Sequence, residues 1–157
     1  MSSEIVKATA KPDGLDPLRA QVAIVKALAP QITSRYCIPL QGKQYVQVSG
    51  ATLLANAMGY TVQEVEVKRV DFGGGVTGWE ATCAVLDLET GMVIGRGSGI
   101  VTDDEKPWGS RPQFARRAMA STRAAGRALR LCLGHLFCYL GDKVASTTAE
   151  EMPEDIK

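Results

Sequence analysis

The feature that most constrains this chain is an arginine-rich stretch at residues 111–130, RPQFARRAMASTRAAGRALR, which has six arginines and no acidic residue. On an α-helix, at about 100° per residue, four of these arginines fall within an arc of roughly 60°. The opposite face is small and largely apolar. The stretch therefore predicts a long helix that packs closely on one side and presents an arginine stripe on the other. The stripe is Arg116, Arg123, Arg127 and Arg130, and the opposite face is Ala118, Ser121, Thr122, Ala125, Ala128, Leu129 and Cys132.

The charge of the arginine stripe calls for a balancing partner. Like charges three or four residues apart weaken a helix by about 0.2–0.5 kcal/mol per pair. The nearest acidic residues are Glu105 before the stretch and Asp142 after it, so ion pairs within the helix cannot balance the stripe. A polyanion could do so, and nucleic acid is the usual one. A basic face that is simply solvated explains the pattern equally well on this observation alone.

Length and charge indicate one domain with segregated charge. The 157 residues suit a single folded unit, and the formal net charge is only +1. The sequence predicts a flexible leader at residues 1–14, a folded domain at 15–141 and an acidic mobile tail at 142–157. That tail is either an inert solubilising end or a segment that shields the basic surface or recruits a basic partner. Its acidic residues are Glu150, Glu151, Glu154 and Asp155.

The chain carries neither a run of 18 apolar residues nor a signal-peptide pattern at its start. These two features would mark a membrane span or a secreted protein. We therefore expect a cytoplasmic protein, in the host cytoplasm if it is phage-encoded, with no membrane partner.

The pattern of apolar residues and turn signals predicts an α+β fold. A helix is expected at residues 17–28, ending near Pro30, then a short strand at 43–48 and a helix at 51–58 that ends at Gly59. Three strands at 61–72, 78–88 and 92–102 form an antiparallel meander. The arginine helix then begins near Gln113 and runs to about Tyr139, with a possible interruption at Gly134. The meander and the short strand pack against this long basic helix, which gives a β-β-β-α core.

Motifs for catalysis are weak, and no cofactor is expected. The glycine-rich segment at residues 95–99, GRGSG, lacks the spacing of a phosphate-binding loop, so it predicts a kinked strand or a close backbone approach. His135 is the only histidine and lies among apolar residues, which favours a structural role. The four cysteines have no zinc-type spacing. The acids of residues 103–105 could bind a divalent cation, but a solvated loop is the simpler interpretation. We therefore predict a protein that is not an enzyme.

Five motifs follow one another along the chain: ALAPQITSRY at residues 27–36, KQYVQVSG at 43–50, ATLLANAMGY at 51–60, ARRAMASTRAAGRALRLCLG at 115–134 and EEMP at 150–153. In this order they resemble the Rad fifty-two type single-strand annealing proteins, and the ending EEMP resembles their phage (Sak-like) branch. ALAPQITSRY is similar to the family's first-helix ending with its I-[ST]-S-R turn. Tyr45 follows Arg35 by ten residues in KQYVQVSG, as in the family's K-x-x-Y-[IV] strand. ATLLANAMGY at 51–60 resembles the helix written NLANEMFGY. ARRAMASTRAAGRALRLCLG at 115–134 is similar to the long helix with its [KG]-R-A-L-R core.

The resemblance covers about residues 20–140 and implies a function. It implies ATP-independent binding of single-stranded DNA and annealing of complementary strands in homologous recombination, by a ring or helical homo-oligomer. It also implies a phage exonuclease and a single-strand-binding protein as possible partners. Gly126 stands where the eukaryotic proteins have a lysine, and Arg123 can replace that charge. The residues that the resemblance and the stripe assign to DNA are Arg35, Tyr45, Arg116, Arg117, Arg123, Arg127 and Arg130.

Two alternatives stay open from the sequence. A helix against an antiparallel sheet also describes hot-dog folds, so a thioesterase-like enzyme acting on a small molecule is one alternative. A basic nucleic-acid-binding oligomerisation module without annealing activity is the other.

Overall fold

The computed structural model describes residues 14–154. Within this range the chain forms three α-helices and five β-strands. In chain order they are α1 (Asp16–Arg35), β1 (Cys37–Leu40), β2 (Lys43–Val46), α2 (Val48–Ala57), β3 (Tyr60–Asp71), β4 (Thr77–Asp87), β5 (Val93–Thr102) and α3 (Gln113–Leu133). Short 3-10 helices lie at Trp108–Ser110, Gly134–Leu140 and Ala149–Glu151. The predicted α+β class is confirmed.

The central layer is a three-stranded antiparallel sheet in the order β3-β4-β5, with α3 lying across one face. The predicted meander, its antiparallel pairing and the long helix over the sheet are therefore confirmed. The hairpins are closed by glycines with positive φ, at Gly73–Gly75 between β3 and β4 and at Gly91 between β4 and β5. Glycine adopts this backbone region without the steric cost that a Cβ brings.

Strand β5 approaches α3 unusually closely because small residues face each other. Gly97 lies against Ala124 and Ala128, and a Cβ at residue 97 would be 2.8 Å from the carbonyl oxygen of Ala124. Both alanines are fully buried. Gly99 meets the backbone of Ala120 in the same way. The close backbone approach predicted for the glycine-rich segment is thus confirmed, and it fixes which side of α3 faces the sheet.

The first helix is longer than predicted. The sequence placed its end near Pro30, but α1 continues to Arg35 with Pro30 inside it. A proline removes one helical hydrogen bond. Val25 and Ile32, two turns apart, are both fully buried in the core. Burial of Ile32 therefore carries the helix past the proline, which itself stays on the exposed side.

A hairpin stands where the sequence predicted one isolated strand. β1 pairs with β2 in antiparallel register, with Ile38 opposite Tyr45. Gln41 and Gly42 connect them with φ values of 50° and 78°. Two consecutive positive φ angles are the geometry of a tight two-residue hairpin turn. Residues 32–40, for which the sequence predicted neither helix nor strand, are therefore partly helix and partly strand.

The chain packs against the domain well beyond residue 141. Ala145 donates a backbone hydrogen bond to the Gln44 carbonyl at 2.8 Å, which ties the segment after α3 to β2. Thr148 and Ala149 are buried, at 0% and 4% exposure. Residues 144–151, which the sequence assigned to a tail after residue 141, therefore pack on the domain. Residues 1–13 of the predicted leader and residues 155–157 lie outside the described residues.

Candidate nucleic-acid interface

The first arginine of the stripe is buried. The Arg116 side chain is only 10% exposed and forms an ion pair with Asp103, which follows β5. Asp103 also accepts hydrogen bonds from Arg69 on β3 and, at 2.6 Å, from the Thr77 hydroxyl on β4. The arginine stripe that the sequence predicted on one side of the helix is therefore not exposed at Arg116, because the connection from β5 to α3 folds over this end of the helix.

These contacts perturb the Asp103 carboxyl group strongly. The pKa of Asp103 is lowered from 3.8 to about 2, mainly by the hydrogen bond from Arg69 and then by the hydrogen bond from Thr77 and the charge of Arg116. A carboxylate that accepts several such bonds is held in its ionised form. Arg116 and Asp103 therefore tie together β3, β4, the loop and α3, which is a structural arrangement.

The second arginine of the stripe is also held by the loop. Arg123 has a side-chain exposure of 15% and forms a two-pronged ion pair with Glu105, at 2.8 Å through Nη1 and 2.5 Å through Nη2. Its Nη1 also donates to the carbonyl oxygen of Ile100 at 2.8 Å. Because both guanidinium ends are engaged, Arg123 has little positive charge left for an outside anion.

Arg127 differs from its neighbours in the stripe. Its side chain is exposed, and no carboxylate among residues 14–154 pairs with it. It lies on the wall of an open groove of about 440 Å³ between α3, the free edge of β5 and the end of the chain. The groove, here called the β5 groove, is lined by Ser98, Gly99, Ile100, Glu105, Arg123, Arg127, Glu151, Met152 and Pro153.

Arg130 is held by the end of the chain. Its Nε lies 3.1 Å and 3.0 Å from the two carboxylate oxygens of Glu151, and its side chain is 30% exposed. The neighbouring Glu150 accepts a hydrogen bond at 2.9 Å from the backbone N–H of Val48, the first residue of α2. The two consecutive carboxylates of the C-terminal segment (residues 147–154) are therefore bound, Glu150 to the N-terminus of α2 and Glu151 to the Arg130 guanidinium.

A second depression lies on the other side of the C-terminal segment. Tyr45 lines it together with two lysines, Lys43 and Lys143, and its volume is about 630 Å³. We call it the Tyr45 trough. Met152 lines both this trough and the β5 groove, so the segment around Met152 forms the ridge between them.

The remaining two predicted residues lie apart from these depressions. Arg35 ends α1 and is exposed, but it lines neither the β5 groove nor the Tyr45 trough. Arg117 is exposed on α3 and lies 3.7 Å from a carboxylate oxygen of Glu64 on β3. The structure therefore brings Arg123, Arg127 and Arg130 together along α3, places Tyr45 across the ridge, and leaves Arg35 and Arg117 outside.

Sequence reasoning missed Lys43 and Lys143 as candidate contacts. Lys43 could have been found, because residues two apart on a strand share a face and Lys43 precedes Tyr45 by two. Lys143 offered no such signal. It reaches the trough because its carbonyl accepts a hydrogen bond from the Gln44 N–H at 2.8 Å, a contact between distant parts of the chain.

The other side chains considered for metal binding or catalysis are either paired with arginines or unreactive. Asp103 and Glu105 are engaged by arginines, as described above, and residues 14–154 contain no cluster of histidine, cysteine and acidic side chains arranged to hold a metal ion. Burial is the main cause that raises the pKa of the Cys83 thiol to about 11, which keeps it protonated and unreactive at neutral pH.

The comparisons with known proteins add no family. The chain matches no protein-family model, and a search of curated proteins finds no relative of significant similarity. None of the helices formed by residues 14–154 combines the length and apolar character needed to cross a lipid bilayer. Function must therefore be argued from the geometry of the two depressions and the arginines beside them.

Proposed function

We propose that this protein binds single-stranded DNA and anneals complementary strands without ATP. The observation that supports this most is Arg127, an exposed arginine on the wall of the β5 groove with no carboxylate partner in the described chain. Its neighbours in the stripe are balanced by Glu105 and Glu151, so Arg127 is the position where an external phosphate gains most. The resemblance to Rad fifty-two type annealing proteins points to the same residue.

The Tyr45 trough supplies a second set of contacts of the kind that single strands use. Lys43 and Lys143 offer ammonium groups for the backbone, and the Tyr45 ring offers a stacking surface for a base. Such contacts do not read sequence. A strand whose phosphates are neutralised on the protein can present its bases outward to a second strand. Pairing between the strands then supplies the free energy, so annealing needs no fuel.

A continuous path for DNA requires several protomers, and we propose a ring or helical homo-oligomer. Within the described residues, the order β3-β4-β5 leaves one unpaired edge on β3 and one on β5. β5 also exposes Val93 and Ile94, at 44% and 43%, and neither residue lines the β5 groove. Unpaired edges with exposed apolar side chains favour association between chains. In the proposed setting, the cytoplasm, a partner exonuclease would produce the single strands and a single-strand-binding protein would cover them.

The test is annealing of two dye-labelled complementary oligonucleotides, followed by energy transfer in the absence of ATP and magnesium. We expect a rate well above the spontaneous one, and binding that weakens steeply with salt. The Arg127→Ala variant should lose much of this activity, while the control Arg19→Ala, an exposed arginine on α1, should keep it. Intact binding without acceleration would reduce the protein to a binding module. Equal affinity for single strands and duplex, or no binding, would overturn the proposal.

A further inference from the structure

The C-terminal segment, residues 147–154, lies between the β5 groove and the Tyr45 trough. Met152 lines both of them, and Glu151 and Pro153 line the β5 groove. A single strand that crossed from Arg127 to Tyr45 would therefore meet this segment first. The segment also carries acidic side chains, so it repels a polyanion where the surrounding arginines and lysines attract it.

Two consecutive carboxylates of the segment hold positions that suit phosphates. Glu151 sits on the guanidinium of Arg130 at 3.0 and 3.1 Å. Glu150 sits on the Val48 N–H at the start of α2, at 2.9 Å. An arginine side chain and a helix N-terminus are both characteristic anion sites in proteins. The segment therefore satisfies with its own carboxylates two sites that the DNA backbone could use.

The helix beneath is shaped to receive this segment. Gly126 on α3 faces Thr148, and a Cβ at residue 126 would lie 2.6 Å from the Thr148 hydroxyl oxygen. Thr148 is fully buried there, and its hydroxyl lies 2.9 Å from a Glu151 carboxylate oxygen. The Glu151 oxygen thus accepts from Thr148 and from Arg130 together. Glycine at residue 126 makes the room that seats Thr148, and Thr148 in turn positions the carboxylate of Glu151.

We propose that the C-terminal segment is a built-in competitor of single-stranded DNA. Glu150 and Glu151 stand in for two backbone phosphates, and binding of a strand lifts the segment from Arg130 and from the start of α2. This inference rests on the proposed DNA-binding function of the same surface. Because the segment is tethered to the chain, it competes at a high effective concentration, and it yields only to a ligand with several phosphates.

The experiment compares the affinity of the full chain for a fluorescent oligo(dT) with that of Glu151→Gln. Glutamine keeps the size of the side chain and can still bond to Thr148, but it gives up the charge that holds Arg130. The matched control is Glu89→Gln, which removes one exposed acid from the β4–β5 hairpin. We expect about tenfold tighter binding for Glu151→Gln at low salt and a change of less than about twofold for Glu89→Gln.

Amide hydrogen exchange supplies a second readout that does not depend on a variant. The amides of Glu151 and Met152 donate to the carbonyls of Thr148 and Ala149, at 3.2 Å each. Both should exchange faster when saturating oligo(dT) displaces the segment.

The outcomes separate this inference from the function on which it rests. If the unaltered chain binds oligo(dT), and Glu151→Gln changes affinity no more than Glu89→Gln with exchange unaltered, the competitor is overturned and DNA binding stands. If Glu151→Gln binds oligo(dT) and the unaltered chain does not, the C-terminal segment blocks DNA binding completely, which supports the proposal. If neither chain binds, DNA binding itself is overturned and the competitor with it.

Discussion

The two halves of α3 carry the same residue type on the same face, yet their arginines have different surroundings. In the first half, Arg116 and Arg123 are largely buried against Asp103 and Glu105 from the loop that leads into the helix. In the second half, Arg127 is exposed, and Arg130 is partly exposed against Glu151. The difference lies in where the balancing acids come from, because the helix itself contains none.

The two groups of acidic residues differ in how easily they can separate from their arginines. The loop at residues 103–112 is fixed at both ends, by β5 and by α3, so Asp103 and Glu105 cannot move away without disturbing both elements. Glu151 instead lies in the short 3-10 helix Ala149–Glu151, and within residues 14–154 no helix or strand follows it, so its release need not move β5 or the start of α3. A row of arginines can thus be divided into a part that holds the fold together and a part available to a ligand.

The largest effect expected in the first half comes from Arg116→Ala. It leaves Asp103 partly buried without one of its cations and should lower the free energy of unfolding by about 3 kcal/mol. Urea denaturation followed by circular dichroism measures this. The control is Arg117→Ala, the adjacent exposed arginine, whose loss should cost less than about 0.5 kcal/mol. Equal costs for the two variants would contradict the structural role of Arg116.

Arg123→Ala should have the next largest effect on stability. It removes the two-pronged contact with Glu105 and the hydrogen bond to Ile100, so we expect a loss of about 1–2 kcal/mol in the same denaturation experiment. A double-mutant cycle with Glu105→Gln isolates the ion pair, since removal of both partners should cost less than the sum. Additive costs would mean that Arg123 and Glu105 act independently.

Arg127→Ala should have the opposite profile to Arg116→Ala, with little effect on stability and a clear effect on DNA affinity. Because its guanidinium is exposed and unpaired within the described residues, stability should change by less than about 0.5 kcal/mol. Affinity for single-stranded DNA should fall about fivefold, and the slope of log affinity against log salt should drop by about 0.7, the value for one phosphate contact on a single strand. Fluorescence anisotropy at several salt concentrations measures both. Loss of stability without loss of affinity would place Arg127 with the structural half.

The pH dependence of stability tests the Asp103 contacts in a second way. The folded pKa of Asp103, about 2, lies below its ordinary value of 3.8, so the group contributes stability that is present above pH 3.8. That contribution is lost as the pH falls from 3.8 through about 2. Asp103→Asn should therefore flatten the stability profile over this window, whereas Asp104→Asn, an exposed neighbour, should leave it unaltered. Denaturation midpoints between pH 2 and 5 test this.

The sequence predicted the architecture well because its signals are local. Glycine-closed hairpins and alternating apolar residues specify β3, β4 and β5. The packed side of α3 was predicted only in part, because the structure buries Ala120 and Ala124 against β5 and leaves Ala118 exposed. The prediction failed where distant contacts decide. Burial of Ile32 carries α1 past Pro30, and β1 forms only because β2 pairs with it.

The sequence predicted which residues form the candidate site, but not which of them are free of ion pairs and can contact a ligand. The sequence placed Arg116, Arg123, Arg127 and Arg130 on one face of a helix, and the structure agrees on the helix. It could not foresee that Asp103 and Glu105, ten or more residues before those arginines, would fold back onto two of them. Helical periodicity predicts which side of the helix a side chain is on. Ion pairs between elements depend on the path of the connecting loop, which periodicity does not specify.

The amino-acid sequence by itself determined the α+β class, the meander and the long basic helix, because each follows from propensity and spacing along the chain. Only the tertiary structure decided which arginines are buried, which groove Arg127 borders and where the acidic end of the chain lies. These depend on contacts such as that of Glu150 with Val48, which are 102 residues apart. No local pattern records such a contact, since its energy exists only once both parts of the chain have packed around the same core.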